Sequence, residues 1–547
     1  MARTSRGKRG ASSRARIARP NRDASARRHP WWWVNAALVT GLIAFLLILL
    51  IKPQFEARRD QLAEESSDAS SSPVTSPVGD GASFAATYCG SCHAFPEPDI
   101  LARDRWPRMV EHMNAVIDQN DLGQTLSSEE IERVSAWYAE RAPEQVRRLE
   151  HEGDRSPLRF EPEPFGLTRM STASGGPPII GEVRITDLNQ DGERDVLISD
   201  IGNGVLSRAA RDADGTWQER PLAEIEAPAQ IAVDDVTGNG HLDIAVANLG
   251  TIKPTDDHVG SVALLVNRGG LDFVGHVLLD NIPRVSDVEI ADLNGNGRLD
   301  ILYAAFGLYQ SGHIGWLEQQ ENGRFENHTI YFRNGASHVR VTDLTGNGRP
   351  DFVALVSQEH QEVLAFVNHG EGSFERHLIH KAPHPMWGYS SLELVDFEGD
   401  GRHDLLLANG DVFDIEPEPQ PFHGVQWIQH HDDLEFTVHD VFNFYGAYRA
   451  IPADLTGNGH LDIVVPSMAN HWEDADRQSI IWLENTGGQE FTPRRLTSSP
   501  TSQVTVAIGD LTSNGWPDIL SGGMYVAGGR TERIGRVTLW RNLGPTD

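Results

Sequence analysis

Two kinds of residue are scarce in this chain: cysteine throughout, and basic residues after position 30. Only two cysteines occur among 547 residues, so no second pair exists that could complete a zinc site of cysteines alone. The first 30 residues hold ten Lys or Arg against one acid, Asp23, whereas the whole chain has a net charge of −31. No nucleic-acid partner is therefore expected for the main body, because phosphate recognition needs a basic face.

Long hydrophobic runs are also nearly absent. The one clear run, residues 31–51, is free of charge, and at 1.5 Å per residue it would span the roughly 30 Å core of a bilayer. A cleaved signal peptide would have a shorter apolar region followed by a small-x-small site, so an uncleaved transmembrane helix is favoured. The basic residues before it predict that residues 1–30 are a cytoplasmic tail and that the later residues lie outside.

These features predict a single-pass protein of the inner (cytoplasmic) membrane, with its N-terminus inside and its later domains in the periplasm or beyond. Residues 52–81 are rich in Ser and Pro and poor in apolar groups. Such a segment cannot bury enough surface to offset the entropy of ordering, so a flexible linker is predicted there.

Both cysteines lie in the segment Cys89-Gly-Ser-Cys92-His93. This spacing is typical of covalent haem c attachment, in which each thiol adds to a vinyl group of the porphyrin. His93 would then lie under the iron and supply one axial nitrogen. Two other interpretations stay open: a thioredoxin-like redox pair, which would need a preceding strand, and a zinc site completed by histidines.

Three helical patterns surround this motif between residues 82 and 145. The first runs into Cys89, the second covers residues 106–119 with apolar residues at helical spacing, and the third starts at a capping box of Ser127 and Glu130. Met109 and Met113 lie four residues apart on one face of the second helix. A small all-α domain is predicted for residues 82–145, followed by a linker at residues 146–157.

This region resembles a small class I cytochrome c, and more closely the cytochrome segment of bacterial FG-GAP repeat proteins. There a Cys-x-x-Cys-His-x-Phe-Pro-x-Pro run precedes a Trp and a ligand methionine. The matching residues here are His93, Phe95, Pro96, Pro98, Trp106 and Met113. The resemblance implies that Met113 is the sixth ligand of the haem iron, with Met109 and His112 as alternatives. A thioether ligand leaves no coordination position open, so electron transfer is expected of this domain and catalysis is not.

A repeat fills the chain from about residue 157 onward. Seven segments share an apolar strand, the pattern Asp-x-x-x-[Asp/Asn]-Gly-x-x-Asp and a second apolar strand. They start at Asp187, Asp235, Asp292, Asp343, Asp396, Asp454 and Asp510. A recurring hairpin between them gives four strands per unit, which favours a propeller blade over a solenoid turn. The pattern resembles the FG-GAP/VCBS family of seven-bladed propellers over essentially the whole of residues 158–547.

The ends of the repeat region predict how the ring closes. The last unit stops short of its fourth strand, whereas residues 158–165 have the pattern of a fourth strand without the three before it. We predict that this segment completes the last blade and removes its open edge.

The Asp-rich turns resemble calcium loops, with oxygen-bearing side chains at positions one, three, five and nine and a glycine at position six. Position three is Thr, a weaker ligand, in four loops, which fits Asx-type turns without an ion. The candidate calcium ligands of the other three loops are Asp187, Asn189, Asp191 and Asp195; Asp292, Asn294, Asn296 and Asp300; and Asp396, Glu398, Asp400 and Asp404. Calcium bound there would have a structural role.

Strand alternation predicts that one face of the propeller carries the long insertions, at residues 250–260, 409–424, 468–479 and 522–535, and variable loops on a rigid scaffold are where binding concentrates. Seven residues should ring the channel mouth on that face: Glu182, Gln230, Asp287, His338, Ser391, Arg449 and Thr505. Nearby links add His384, Trp387, Tyr389, Tyr445, Tyr448, His471 and Trp472. Two interpretations account for these residues. They form a hydrated channel rim with aromatic residues that pack between blades, or they line a pocket for a sugar or another small polar molecule.

Together these features predict a membrane-anchored, exported monohaem c-type cytochrome that exchanges electrons with a redox partner protein. Its propeller would bind a partner, a polysaccharide or a redox substrate. Two alternatives stay open: a quinoprotein-like dehydrogenase with the propeller as its catalytic domain, and a cell-surface adhesion module. The dehydrogenase needs a site for an organic cofactor, and no tryptophan-docking repeat for one is present in the sequence.

The assignment of Met113 predicts the effect of its removal. Met113→Ala should abolish the low-spin spectrum of the haem and lower its reduction potential, because thioether ligation favours ferrous iron. Met109→Ala is the matched control and should leave both unchanged. An unaltered spectrum and potential in Met113→Ala would place the sixth ligand elsewhere.

Overall fold

The computed structural model describes residues 15–16, 80–90, 93–167, 178–412, 418–525 and 535–546. The predicted transmembrane helix, Cys92 and nearly all of the predicted tail and first linker lie outside these residues. No helix in the described ranges is long and apolar enough to cross a membrane. The described residues from Phe84 onward belong to one compact unit, which also includes residues 15–16.

Three helices form where the sequence predicts them: α1 (Asp80–Cys89), α2 (Trp106–Asn120) and α3 (Ser128–Arg141). The capping box at the start of α3 is present, since the Ser127 amide donates to Glu130 Oε2 at 2.7 Å and the Glu130 amide donates to Ser127 Oγ at 3.4 Å. Trp106 of α2 stacks on Tyr138 of α3 with 3.7 Å between ring centroids. This aromatic pair joins the two longer helices of what we call the helical domain, residues 80–145.

Seven sheets, each with four antiparallel strands, form the blades of a β-propeller, and in six of them the four strands are consecutive in the chain. Blades 1 to 3 consist of β4 (Ile180–Thr186), β5 (Asp195–Asp200), β6 (Val205–Arg211) and β7 (Trp217–Glu224); β8 (Pro228–Asp234), β9 (Asp243–Asn248), β10 (Gly260–Asn267) and β11 (Phe273–Ile282); and β12 (Val285–Ala291), β13 (Asp300–Ala305), β14 (His313–Gln319) and β15 (Phe325–Phe332).

Blades 4 to 6 repeat this order. They consist of β16 (Ala336–Thr342), β17 (Asp351–Val356), β18 (Glu362–Gly370) and β19 (Ser373–Lys381); β20 (Tyr389–Val395), β21 (Asp404–Asn409), β22 (Gly424–His430) and β23 (Phe436–Asn443); and β24 (Ile451–Ala453), β25 (Asp462–Pro466), β26 (Ile480–Asn485) and β27 (Phe491–Thr497). Two short strands add in parallel to outer edges: β1 (Ala15–Arg16) pairs with β7, and β2 (Asp154–Arg155) pairs with β27.

Blade 7 closes the ring as the sequence predicts. Its first three strands are β28 (Gln503–Gly509), β29 (Asp518–Gly523) and β30 (Val537–Pro545), and its fourth is β3 (Leu158–Pro164) from the start of the repeat region. In this pairing Phe160 lies opposite Asn542 and Pro164 opposite Thr538. The two ends of the propeller are thereby held in one sheet, and the open edge of the last blade is removed.

The core of the propeller lies between the blades. Every residue of the second strand is buried in all seven blades, because a second strand is covered by a neighbouring blade on each face. Each of the seven blade-to-blade contacts has its own apolar cluster. The interior is therefore continuous around the ring, and no blade can bury its faces alone.

The last aspartate of each Asp-rich turn is the first residue of the second strand, and its side chain is buried. In six blades its Oδ1 accepts an amide N–H at or near the end of the third strand, at 2.7–2.9 Å. In blade 1 the partner is instead the Arg208 guanidinium, which pairs with Asp195. In most blades Oδ2 accepts an amide from the turn itself, as Asp462 does from Leu455 at 3.0 Å. Each of these carboxylates thus ties the turn, the second strand and the third strand together.

Removal of one of these carboxylates should destabilise the propeller. Asp462→Ala leaves the amides of Leu455 and Asn485 buried without acceptors, which should lower the free energy of unfolding by about 2–4 kcal/mol. Glu490→Ala, on an exposed turn of the same blade, is the control and should change it by no more than about 0.5 kcal/mol. Urea unfolding measures both, and equal stability of the two variants would contradict the bridging role.

Candidate functional site

The haem-attachment motif begins where α1 ends. Cys89, the last residue of α1, is half-buried beside Tyr138, and burial raises the pKa of its thiol. Cys92 lies outside the described residues. His93 is half-buried, and its Nδ1 lies 2.8 Å from the Ala94 carbonyl oxygen. Since that oxygen can only accept, Nδ1 carries the proton, and Nε2 keeps the lone pair that a metal ion needs.

The two candidate methionines differ in their surroundings. Met113 is 36% exposed on α2, whereas Met109 packs against the apolar cluster of the helical domain. His112 is half-buried, and burial lowers the pKa of its ring. The thioether of Met113 is thus the one that the packing of the domain leaves available for ligation.

The residues of this domain fit a covalently bound haem. A thiol, an imidazole with a free Nε2 and an available thioether lie on the same short domain, and Phe95 and Trp137 supply an apolar wall with 5.9 Å between ring centroids. The Trp137 Nε1 is buried and has no hydrogen-bond partner, so it could donate to a polar group of a bound molecule. When bound, haem c would supply one-electron redox chemistry, with Cys89 and Cys92 holding it and His93 and Met113 facing its iron.

The helical domain is packed against the insertion-bearing face of the propeller. Met386 and Phe422, from blade 5 and the link before it, join the apolar cluster of the helical domain. Arg105 pairs with Glu418 of blade 5 at 3.3 Å, and the Asn120 carbonyl accepts from Gln310 of blade 3. On the blade 4 side, the Lys381 ammonium helps burial to lower the pKa of His93. The haem motif is therefore close to the propeller face predicted to bind.

Residues 146–157, predicted as a linker, form an ordered strap along blade 6. Glu152 is 5% exposed and accepts from Asn470 Nδ2 at 3.0 Å, the Gln478 amide at 2.8 Å and Arg477 Nη1 at 3.0 Å. The Leu149 amide donates to the Tyr445 hydroxyl at 2.8 Å. Below these contacts β2 adds to the edge of β27. The strap limits the freedom of the helical domain, which the sequence pattern of a polar connector did not indicate.

The aromatic residues predicted near the channel have separate positions. His384 and Trp387 pack on Phe422 beneath the helical domain, at 4.6 and 5.6 Å between ring centroids. The Tyr389 hydroxyl donates to Gln426 inside blade 5 at 2.8 Å. His471 lies 4.9 Å from the Tyr445 ring beside the strap. The described structure therefore divides these aromatics among blade packing, the strap and the docked domain instead of gathering them in one pocket.

Four of the seven residues predicted to ring the channel, Glu182, Asp287, Arg449 and Thr505, form hydrogen bonds between neighbouring blades. Glu182 Oε2 accepts the Ile231 amide at 2.7 Å, and Asp287 Oδ2 accepts the Val339 amide at 3.0 Å. Arg449 donates to Thr505 at 3.1 Å and pairs with Glu393 at 2.8 Å. Most of these groups are used in cross-blade hydrogen bonds, so the inner wall of the ring is a polar network that stabilises the channel.

The predicted calcium ligands lie in three of seven turns that share one geometry. In every turn the first aspartate accepts the amides of positions five and six, as Asp187 does from Asp191 and Gly192 at 3.0 and 2.9 Å. The position-six glycines all have positive φ, between 78° and 88°. Asp195, Asp300 and Asp404 at position nine are buried and face the sheet, so a cation in these turns would draw on positions one, three and five.

The structure brings together a further group of residues that could hold a metal ion and that the sequence patterns did not indicate. Glu318 of β14 lies opposite Glu326 of β15, and His328 follows two residues later on the same face. Their ligand atoms lie within 4.8 Å of one another, and His328 Nε2 is 3.0 Å from Glu318. They belong to two neighbouring strands of blade 3, and the pairing of β14 with β15 brings their side chains together.

Comparison with known proteins supports the propeller. A model described as FG-GAP-like repeat matches residues 235–303, 343–407 and 454–521, and each match contains two of the Asp-rich turns. No curated protein sequence matches the chain. Among solved structures, a chain in the crystal structure of BBS1N in complex with ARL6DN is similar at 11% identity and a TM-score of 0.43, over 71% of this chain and 97% of that one. The chain thus carries FG-GAP-like repeats in a seven-bladed propeller, a general binding or adhesion-type module.

The strap contacts predict a stability effect that is local to the helical domain. Glu152→Gln removes the charge that Arg477 and two further donors share, which should cost about 1.5–3 kcal/mol. We expect faster proteolysis between residues 146 and 157 and a lower melting temperature. Glu150→Gln, two residues away and exposed, is the control. Unchanged proteolysis in Glu152→Gln would mean that the strap does not hold the domain.

Proposed function

We propose that this protein is an exported, membrane-anchored monohaem c-type cytochrome whose propeller binds the molecule or protein with which the haem exchanges electrons. The observation that carries the proposal is the position of His93, with Nδ1 hydrogen-bonded and Nε2 free, on a domain packed against the insertion-bearing face. A redox group there would lie close to whatever the loops bind. Electron transfer between two bound groups needs that proximity, and it does not need a catalytic side chain.

The residues of the chain have these roles in the proposal. Cys89 and Cys92 would hold the haem covalently, and His93 and Met113 would supply ligands to its iron. The strap, anchored by Glu152, keeps the helical domain at a fixed place on the propeller. The Asp187, Asp292 and Asp396 turns would bind calcium where it is available and would then stiffen the face opposite the haem.

A second candidate is a binding or adhesion module that works without electron transfer. The FG-GAP-like repeats favour it, because they belong to the propeller and require nothing of the cysteine motif. A quinoprotein-like dehydrogenase has no comparable support among the described residues.

Membrane attachment by residues 31–51 is the third part of the proposal. If residues 1–30 stay in the cytoplasm, β1 cannot pair with β7 in the assembled protein, because the two would lie on opposite sides of the membrane. The two arrangements exclude each other. Protease treatment of spheroplasts that carry an N-terminally tagged protein distinguishes the two arrangements. The tag is protected from the protease only if the tail is inside.

The proposal is tested by production of the full chain in a host competent for cytochrome c maturation. We expect red membrane-bound material with the absorption bands of a low-spin haem c, and thiols that do not react with an alkylating agent. A Cys92→Ser variant is the control and should lose stable attachment. Colourless material with both thiols reactive would leave the adhesion module as the function.

A further inference from the structure

A buried arginine without a partner lies at the entrance of the propeller channel. Arg284, in the link between blades 2 and 3, is 6% exposed, and its Nε is buried without a hydrogen-bond partner. No carboxylate among the described residues lies within ion-pair distance of it. Its one contact of note is the Phe306 ring, 4.8 Å from the guanidinium carbon. A buried charge is normally paired, because removal from water without compensation is unfavourable.

Asp256 stabilises the charge of Arg284 from a distance and makes no direct ion pair with it. The Asp256 Oδ1 accepts four successive amides, those of residues 308–311, at 2.9–3.0 Å. These bonds fix the Asp256 carboxylate on the blade 3 loop. Burial lowers the pKa of Arg284 to about 10, so the guanidinium remains charged at neutral pH and remains unpaired.

The repeat itself shows that the fold does not require this arginine. The residues eight positions before the first aspartate of each turn are Ile179, Ala227, Arg284, Gly335, Gly388, Gly446 and Ser502. A small or apolar residue therefore suffices in six blades. The same holds six positions before the aspartate, where the residues are Gly181, Ala229, Ser286, Ser337, Ser390, Tyr448 and Val504. Arg284 and Tyr448 are the two large polar exceptions.

These two exceptions come from different blades. Tyr448 lies near enough to Arg284 to affect its pKa, and burial raises the pKa of the Tyr448 hydroxyl, which therefore stays protonated and able to donate. Tyr448 packs on an apolar cluster at the start of the channel on the blade 5 to 7 side, which contains Val412, Met468 and Val504. The surroundings are thus one cation, one hydroxyl donor and an apolar wall, with the Asp256 carboxylate acting on Arg284 and the Asp411 carboxylate on Tyr448.

We propose that Arg284 and Tyr448 form a binding site for an anionic group, a carboxylate or a phosphate, at the channel entrance beneath the helical domain. The contacts of the helical domain and its strap reach blades 3, 5 and 6. Arg284 and Tyr448 lie in the links before blades 3 and 6, and the apolar wall comes in part from blades 5 and 6. A carboxylate could come from a propionate of the haem or from a separate anionic ligand. Both sources have the chemistry that a buried guanidinium binds most strongly.

The test uses the full-length protein with and without covalent haem, titrated with citrate and with inorganic phosphate against sodium chloride of equal ionic strength. We expect either anion to raise the melting temperature of the haem-free protein, because a ligand that binds only the folded state stabilises that state. Arg284→Gln should weaken that binding at least about tenfold. Arg268→Gln, an exposed arginine on the opposite face, should leave it unchanged, and Arg284→Lys keeps a charge if the glutamine variant does not fold.

The haem-loaded protein identifies the source of the anion. If a propionate occupies the site, haem loading abolishes the citrate effect and Arg284→Gln shifts the reduction potential. If a separate ligand binds, the citrate effect persists in the loaded protein. The proposal is overturned if neither anion stabilises the haem-free wild type beyond chloride, or if Arg284→Gln binds as tightly as the wild type. Failure of haem attachment alone would leave the anion titration unaffected, so it would count against the cytochrome and not against this site.

Discussion

The buried aspartate that begins the second strand of every blade is the interaction on which the propeller depends. One oxygen accepts an amide at or near the end of the third strand, and in most blades the other accepts an amide of the preceding turn. Without that side chain, two backbone donors would be buried without acceptors in the centre of a blade. The aspartate recurs in all seven turns because each blade faces the same hydrogen-bonding requirement. It also explains why this position is not free to act as a metal ligand in the way that an exposed loop carboxylate is.

The blades in turn depend on one another, since each second strand is covered by both neighbours and each blade interface has its own apolar cluster. Closure by β3 makes the ring complete and places the start of the repeat region beside its end. The strap connects the helical domain to β3, so its end at β3 is anchored to the ring. The ring holds the strap in place, and the strap holds the helical domain in a defined position on the insertion-bearing face.

That position decides what the channel entrance can do. An open channel lined by polar groups would hold water, whereas this entrance contains an unpaired guanidinium, a phenol and an apolar wall beneath a second domain. The inner wall below it is already satisfied by cross-blade pairs such as Arg449 with Glu393. Burial raises the pKa of Glu289 in this wall to about 7, although the Arg340 guanidinium opposes the shift. The charged groups of the polar network pair with one another, whereas the Arg284 guanidinium at the entrance has no ion-pair partner among the described residues.

The sequence by itself determined the repeat, the number of blades, the closing strand, the three helices and the capping box at Ser127. Each of these is local in the chain: a turn pattern fixes a glycine with positive φ, alternation fixes which side chains face inward, and a missing fourth strand requires a partner. The haem, calcium and membrane interpretations also come from local motifs, and they remain predictions. The tertiary structure alone decided that residues 146–157 are a strap, that Glu318 meets His328, and that Arg284 lies near Tyr448. The Glu318–His328 contact depends on the register between two strands of one blade. The other two arise from the order of blades around the ring and from a domain docked across it, which no spacing in the sequence reveals.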